Sequence, residues 1–368
     1  MASKNLTYIV GVGSVGKYVA HSLATGCLDP RFKGSQTVVL LFHRDGLQAA
    51  WEAEGRAIRA MSPDGRATVT ADGFMTGRSY GPTANSRGIK HLIVATKAHT
   101  TAAALAQIKD QLTASSHILF LQNGMGVAEE VTEKVFPDPA SRPRYWAGIC
   151  SAGVYSTSPF TFVHAGTGPL TVSSLGPLHL GETECPMLSR LQQTPVLGTS
   201  LVQPGVLLQA QLRKLVVNSI INPLTVFFNC KNGGVFSIPE AARLGELLLE
   251  EAGTVVRAML SDPIIEDARA DFSDNVLRAI VRQVATSTAE NISSMRQDVL
   301  ASRPTEIDYI NGYLVREAQK RGLPCKHHAA VVRAMKELEA GYLTSTATED
   351  RDSLATRAQS ILLAASKS

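Results

Sequence analysis

Cysteine is scarce in this 368-residue chain, and the five cysteines form no C-x-x-C pair. The sequence therefore indicates neither a disulfide framework nor a zinc site, and we expect no metal and a reducing compartment. Basic residues outnumber acidic ones by only 36 to 32, without a basic run. This balance argues against a nucleic acid or an anionic membrane as partner.

Long apolar runs are also missing. The most apolar stretch, 215–228, contains two asparagines and a proline, so it is not predicted to span a membrane. The strand-like residues 6–10 lie so close to the chain start that no signal peptide is expected, and we expect a cytoplasmic protein. With 44% hydrophobic and 18% charged residues, the composition is that of a globular protein, and the length favours two domains.

In the first half, short apolar runs alternate with helical patterns near 15–24, 100–112 and 127–135. This alternation predicts an α/β domain with a mostly parallel sheet over residues 1–203. The predicted strands are Thr7–Val10, Thr37–His43, His91–Ala95 and His117–Leu121, with extra edge strands at Phe160–His164 and Leu170–Ser174. Beyond a break at Gln203–Gly205, apolar residues recur with the period of an α-helix, which predicts an all-α domain over 204–368. Its helices are expected at 207–221, 239–260, 273–290, 304–320 and 327–341.

A G-x-G-x-x-G motif follows the first strand and opens the first helix, which is the context of a dinucleotide phosphate site. One glycine permits the tight turn, the next lets a pyrophosphate approach the backbone, and the third lets the helix pack on the strand. The motif consists of Gly11, Val12, Gly13, Ser14, Val15 and Gly16. A tight turn without a ligand is the alternative.

The residue that follows the next strand decides which dinucleotide binds. Arg44 stands there and can hold a 2′-phosphate in bidentate fashion, so the sequence favours NADPH over NADH. Arg44 lies further from Gly16 than the usual interval of roughly 20 residues, and we assign the excess to an inserted loop near Gly26–Ser35. An exposed loop arginine is the alternative, and the neighbouring Asp45 leaves NADH open.

Three polar residues, Lys214, Asn218 and Asn222, recur at every fourth position and share a helical arc of roughly 80°. Apolar residues border this stripe, so we expect the lysine to be partly desolvated, with a lowered pKa that makes it a better proton donor. Pro223 is expected to kink or end the helix beside Asn222. The alternative is a lysine that extends to solvent beside structural asparagines.

A carboxylate, Glu306, is predicted to share a helical face with Ile310, Tyr313 and Leu314. Lys214 could be its partner, whereas the alternative is a first-turn acid that complements the helix dipole. Upstream, Asn291 and two serines at 293 and 294 come near a helix end and could bind a substrate carboxylate. As isolated residues they would more often form a plain helix terminus.

Several stretches together resemble the ketopantoate reductase family over nearly the whole chain. The resemblance is carried by GVGSVG at 11–16, ATKA at 95–98, QNGMG at 122–126, KLVVNSIINPLT at 214–225, NCKNG at 229–233 and NISSMRQDVLASRPTEIDYINGYLV at 291–315. It implies a Rossmann-type domain, a helical domain and a site in the cleft between them. The implied activity is NADPH-dependent reduction of 2-dehydropantoate to (R)-pantoate, an oxidoreductase step of pantothenate and coenzyme A biosynthesis.

The resemblance also implies roles for individual residues. Lys214 would be the general acid, and Glu306 would lie beside the substrate and the nicotinamide ribose. The residues implied to bind substrate are Lys214, Asn218, Asn222, Asn232, Asn291 and Ser294. Those implied to contact NADPH or NADP+ are Gly11–Gly16, Arg44, Lys97, Asn123 and Glu306. Lys97 and Asn123 could equally have loop roles, and contacts from 145–200 stay unassigned, although Val154 is an open candidate.

Two other functions remain open. The chain could reduce another branched 2-oxo acid, or it could be an NADPH-sensing protein without catalysis. The pair of Lys214 and Glu306 argues against a sensor, because cofactor binding alone does not require it. The expected partner is a small-molecule 2-oxo acid, with a homodimer left open.

Overall fold

The computed structural model describes residues 6–32, 37–42, 46–78, 88–176, 185–260 and 271–344. The chain divides into two compact units, Met1–Leu207 and Leu208–Ser368. Arg44, the predicted 2′-phosphate ligand, lies outside the described residues.

An eight-stranded sheet forms the centre of the first unit. In spatial order its strands are Ser200–Leu201 (β12), Leu170–Ser174 (β11), Arg144–Cys150 (β8), His117–Phe120 (β7), His91–Val94 (β6), Thr7–Val10 (β1), Val38–Phe42 (β2) and Met75–Arg78 (β5). All neighbours pair in parallel except β8 and β11. Every residue of β2, β6 and β7 is buried, as expected for strands covered on both faces. The predicted mostly parallel sheet is confirmed.

A second sheet of four strands lies in the same unit, in the order Thr68–Ala71 (β4), Ile58–Met61 (β3), Thr161–Gly166 (β10) and Gly153–Ser158 (β9). The predictions that Phe160–His164 and Leu170–Ser174 are edge strands are therefore both wrong, because β10 lies between β3 and β9, and β11 lies between β12 and β8. For Phe160–His164 the physical reason is aromatic burial. Phe160 packs its ring 4.8 Å from that of Trp51, and Phe162 packs edge-on against Tyr18, so this segment is buried in the same hydrophobic core as the large sheet.

Five helices are described in this unit: Ser14–Gly26 (α1), Leu47–Ala53 (α2), Ala98–Ala106 (α3), Val127–Lys134 (α4) and Pro186–Gln192 (α5). Arg190 of α5 is completely buried. Its guanidinium donates to Thr37 Oγ1 at 2.7 Å, to the Thr37 carbonyl at 2.9 Å and to the carbonyls of Leu23 and Phe32 at 3.4 Å. This one side chain therefore fixes both ends of the segment that was predicted as an inserted loop.

The described part of the second unit is helical, as predicted. Its helices are Pro204–Phe227 (α6), whose first turn precedes the unit boundary, Pro239–Met259 (α7), Asp274–Ser287 (α8), Ser294–Leu300 (α9), Asn311–Lys320 (α10) and Lys326–Thr344 (α11). No described helix has a stretch both long and apolar enough to cross a membrane.

Two helix predictions for this unit are wrong in their bounds. Helix α6 does not end at Pro223 but continues to Phe227. The helix predicted from residue 304 begins only at Asn311, after a short 3-10 turn at Ile307–Tyr309, because Ile310 has the non-helical angles φ −107° and ψ −89°.

Candidate active site

The glycine turn after β1 is shaped by two glycines that no other residue could replace. Gly11 has φ +95°, and a Cβ there would lie 2.3 Å from the Thr96 nitrogen. A Cβ on Gly16 would lie 1.9 Å from the Gly11 carbonyl oxygen. Gly13 differs, because it is exposed and a Cβ there would meet only the Ala95 oxygen, at 3.9 Å. Packing explains the first two glycines, whereas Gly13 leaves open space at the start of α1, where free backbone N–H groups favour an anion.

Two further predicted cofactor residues follow neighbouring strands of the same sheet. Lys97 directly precedes α3 and lies three residues beyond the end of β6, and Asn123 lies three residues beyond the end of β7. Both residues are half-buried. Since β1, β6 and β7 are adjacent and parallel, the glycine turn, Lys97 and Asn123 lie at the same carboxyl edge. Ligands of open α/β sheets bind at that edge. The structure therefore places these predicted residues at one edge of the sheet.

A hairpin of the second sheet packs against the start of α1. The Ser14 and Ser156 hydroxyls are 2.9 Å apart, and Lys17 Nζ donates to the carbonyls of Ser158 at 2.7 Å and Thr161 at 2.8 Å. Lys17 is only 1% exposed, and burial lowers its pKa to about 8, opposed by the charge of Glu54. Sequence reasoning missed Lys17 and Ser156; the signal available was a lysine among apolar helix positions directly after the motif.

The polar stripe lies on α6. Lys214 and Asn218 are half-buried, and Asn222 is 6% exposed. Leu215 and Val217, which border the stripe on the helix, are buried.

A second group of predicted substrate residues meets near the end of α6. The Asn232 backbone N–H donates to the Asn291 carbonyl at 3.1 Å, and its side-chain Nδ2 donates to Thr288 Oγ1 at 2.9 Å. Within the described part of the chain, Asn232 Oδ1 is buried and accepts no hydrogen bond. A buried amide oxygen without a donor costs free energy unless a ligand or water supplies one. Asn232 therefore has one acceptor available for a ligand.

The two serines that follow Asn291 differ in their surroundings. Ser293 caps α9 by accepting the Arg296 N–H at 3.1 Å, and its hydroxyl lies 2.7 Å from Thr225 Oγ1. Ser294, the predicted ligand, is the first residue of α9 and is exposed. Asn291 is exposed as well, so both predicted ligands are accessible.

Glu306 lies outside any α-helix, directly before the 3-10 turn, so the prediction that it shares a helical face is wrong. It is nevertheless 5% exposed, and Ile310 and Leu314 are buried as expected. Its neighbour Thr305 is held by Glu339 of α11, whose Oε1 accepts the Thr305 backbone N–H at 2.8 Å and the hydroxyl at 2.5 Å. A carboxylate buried to this degree needs a charged or hydrogen-bonded environment.

Family models and curated relatives both match proteins of one family. The model of the family Ketopantoate reductase PanE/ApbA matches residues 7–177, and its C-terminal model matches 206–339. A probable 2-dehydropantoate 2-reductase of Schizosaccharomyces pombe is 32% identical over 86% of this chain and 92% of its own. The 2-dehydropantoate 2-reductase of Vibrio cholerae is 33% identical over 67% of this chain and 77% of its own.

Among solved structures, a ternary complex of D-mandelate dehydrogenase shares the fold with TM-score 0.73 at 19% identity, covering 92% of this chain and all of that one. Among the described residues, no cluster of side chains is suited to hold a metal ion.

Proposed function

Because this chain belongs to the ketopantoate reductase family, we propose that it reduces 2-dehydropantoate to (R)-pantoate with NADPH, in pantothenate and coenzyme A biosynthesis. The observation that carries the proposal is the stripe of Lys214, Asn218 and Asn222 on α6, where the half-buried lysine has buried apolar neighbours on the helix. The same family match covers the dinucleotide turn and this stripe. We extend the proposal to a cytoplasmic enzyme and to a homodimer. Light scattering on the purified chain tests whether it is a dimer.

The residues at the carboxyl edge of the sheet fit a dinucleotide. The open space at Gly13 would admit a pyrophosphate to the first turn of α1, and Lys97 and Asn123 would contact the cofactor from the neighbouring strand ends. Arg44, immediately beyond β2, would pair with a 2′-phosphate, which supports NADPH over NADH. When bound, the cofactor supplies the hydride.

The side chains of the second unit supply the rest of the chemistry. Lys214 would stabilise the negative charge that develops on the keto oxygen and then give that oxygen its proton. Glu306 would orient the substrate or the ammonium. The remaining residues would hold the substrate carboxylate and hydroxyl so that the keto face is presented for reduction: Asn218, Asn222, Asn232, Asn291 and Ser294. The available acceptor on Asn232 suits a substrate hydroxyl.

The test is NADPH oxidation with 2-dehydropantoate beside a panel of branched 2-oxo acids. We expect the highest kcat/KM for 2-dehydropantoate; a higher value for another acid would assign that substrate instead, and no turnover with any acid would favour a sensor. Lys214→Ala should lower kcat by roughly 10² to 10⁴ while the Kd of NADPH changes little. Arg44→Ala should mainly raise that Kd. Near-normal turnover by Lys214→Ala would refute the assigned acid.

A further inference from the structure

Pro223 leaves a backbone carbonyl of α6 without its usual donor. In a continuous helix the Ser219 carbonyl accepts the N–H of residue 223, and proline has none. Ser219 is completely buried, so solvent does not supply the missing hydrogen bond. An unsatisfied buried carbonyl there would destabilise the folded protein.

The missing donor comes from Asn311, the first residue of α10. Its side-chain Nδ2 donates to the Ser219 carbonyl at 2.8 Å, and the asparagine is completely buried. This hydrogen bond explains why α6 continues past Pro223. It also joins the turn between Asn218 and Asn222 to the segment that carries Glu306.

His328 of α11 fixes the orientation of this amide. His328 Nε2 lies 2.9 Å from the Leu248 carbonyl, which can only accept, so Nε2 carries the proton and Nδ1 is an acceptor. Nδ1 lies 2.9 Å from Asn311 Nδ2. The amide therefore faces two acceptors and must present its NH2 group to both. Burial also lowers the pKa of His328 to about 4, which keeps the ring neutral.

We propose that Asn311 is a positioning residue, which holds the Asn218–Asn222 turn of α6 in register with the Glu306 segment. The role rests on the proposed function, because those are the residues assigned to substrate. Asn311 itself is assigned no contact with substrate or cofactor. Its removal should therefore disturb substrate binding and turnover while leaving the dinucleotide turn of the first unit intact.

The experiment is a double-variant cycle, because Pro223→Ala restores a backbone N–H that can satisfy Ser219 without Asn311. We expect Asn311→Leu to lower kcat/KM for 2-dehydropantoate roughly tenfold or more, with the Kd of NADPH within twofold. Pro223→Ala alone should stay within threefold of the wild type. The double variant should recover at least half of the logarithmic loss. The exposed Asn275→Leu, alone and with Pro223→Ala, is the matched control.

The proposal would be overturned if the loss of kcat/KM in the double variant were the product of the losses in the two single variants. A wild-type kcat/KM for Asn311→Leu would overturn it as well. If Asn311→Leu alone does not fold, a folded double variant supports the link to Ser219 and an unfolded one overturns it. If the wild type reduces no 2-oxo acid, the proposed function fails separately. In that case the free energies of unfolding of the same four proteins are measured in urea. If the effects of Asn311→Leu and Pro223→Ala on that free energy simply add, the hydrogen-bond assignment is overturned.

Discussion

The buried Lys17 should make the stability of this protein rise with pH above neutrality. Its folded-state pKa is about 8, because burial disfavours the ammonium, whereas an unfolded lysine titrates near its ordinary 10.5. Between these values the unfolded chain binds more protons than the folded one, so the free energy of unfolding increases with pH. The contribution is complete above the unfolded pKa and is lost as the pH falls through 8.

The size of the effect follows from the two pKa values. Between pH 7.5 and 9.5 the lysine should add about 2 kcal/mol to the free energy of unfolding. Lys17→Met has no proton to lose, so the wild type should gain about that much over the variant across the interval. Taking the difference between the two proteins removes the contributions of groups that both share, such as Tyr18, whose pKa burial raises to about 12.

The assay is urea unfolding of both proteins at several pH values between 7.5 and 9.5, with the exposed Lys109→Met as the control. The control should keep a constant difference from the wild type. A constant difference for Lys17→Met as well would refute the reasoning, because it would mean that Lys17 titrates in the folded protein as it does in the unfolded chain.

Three further predictions concern the glycine turn, the buried Arg190 and the support of Thr305. Gly16→Ala should lower the unfolding midpoint because its Cβ would lie 1.9 Å from a carbonyl oxygen, whereas Gly13→Ala should unfold normally and raise the NADPH Kd roughly tenfold, as thermal melts and titrations will show. Arg190→Met should cost about 3 kcal/mol in urea unfolding, since several buried acceptors lose their donor. Glu339→Leu should lower kcat without changing the NADPH Kd, whereas the exposed Glu337→Leu should change neither.

Local sequence patterns predicted much of the fold. Thr7–Val10 and Leu170–Ser174 were predicted with the bounds that the structure has, because short β-rich runs between turn residues define buried strands. The second sheet was not foreseen, since the parallel pairing of β3 with β10 joins segments about a hundred residues apart. The hydrophobic periodicity of a sequence carries no information on which distant segments pair. It could not tell that Phe160 would pack on Trp51.

In the candidate site, too, local features could be predicted and long-range contacts could not. The glycine turn and the α6 stripe were visible because each lies within one element. Asn311 was not, because its role depends on a carbonyl that Pro223 leaves free on another helix. The helix expected around Glu306 also failed for a tertiary reason: Glu339 holds Thr305 through its backbone N–H and its hydroxyl, and the chain turns sharply at Ile310 before α10 begins.

Helix α11 holds the Glu306 segment at both ends, through Glu339 at Thr305 and His328 at Asn311. A deletion that removed the later turns of α11 would leave every proposed substrate ligand in the polypeptide. It would still remove Glu339, and with it the hydrogen bonds that hold Thr305 beside Glu306. Such a shortened protein would resemble an active-site variant in assays although its lesion is remote.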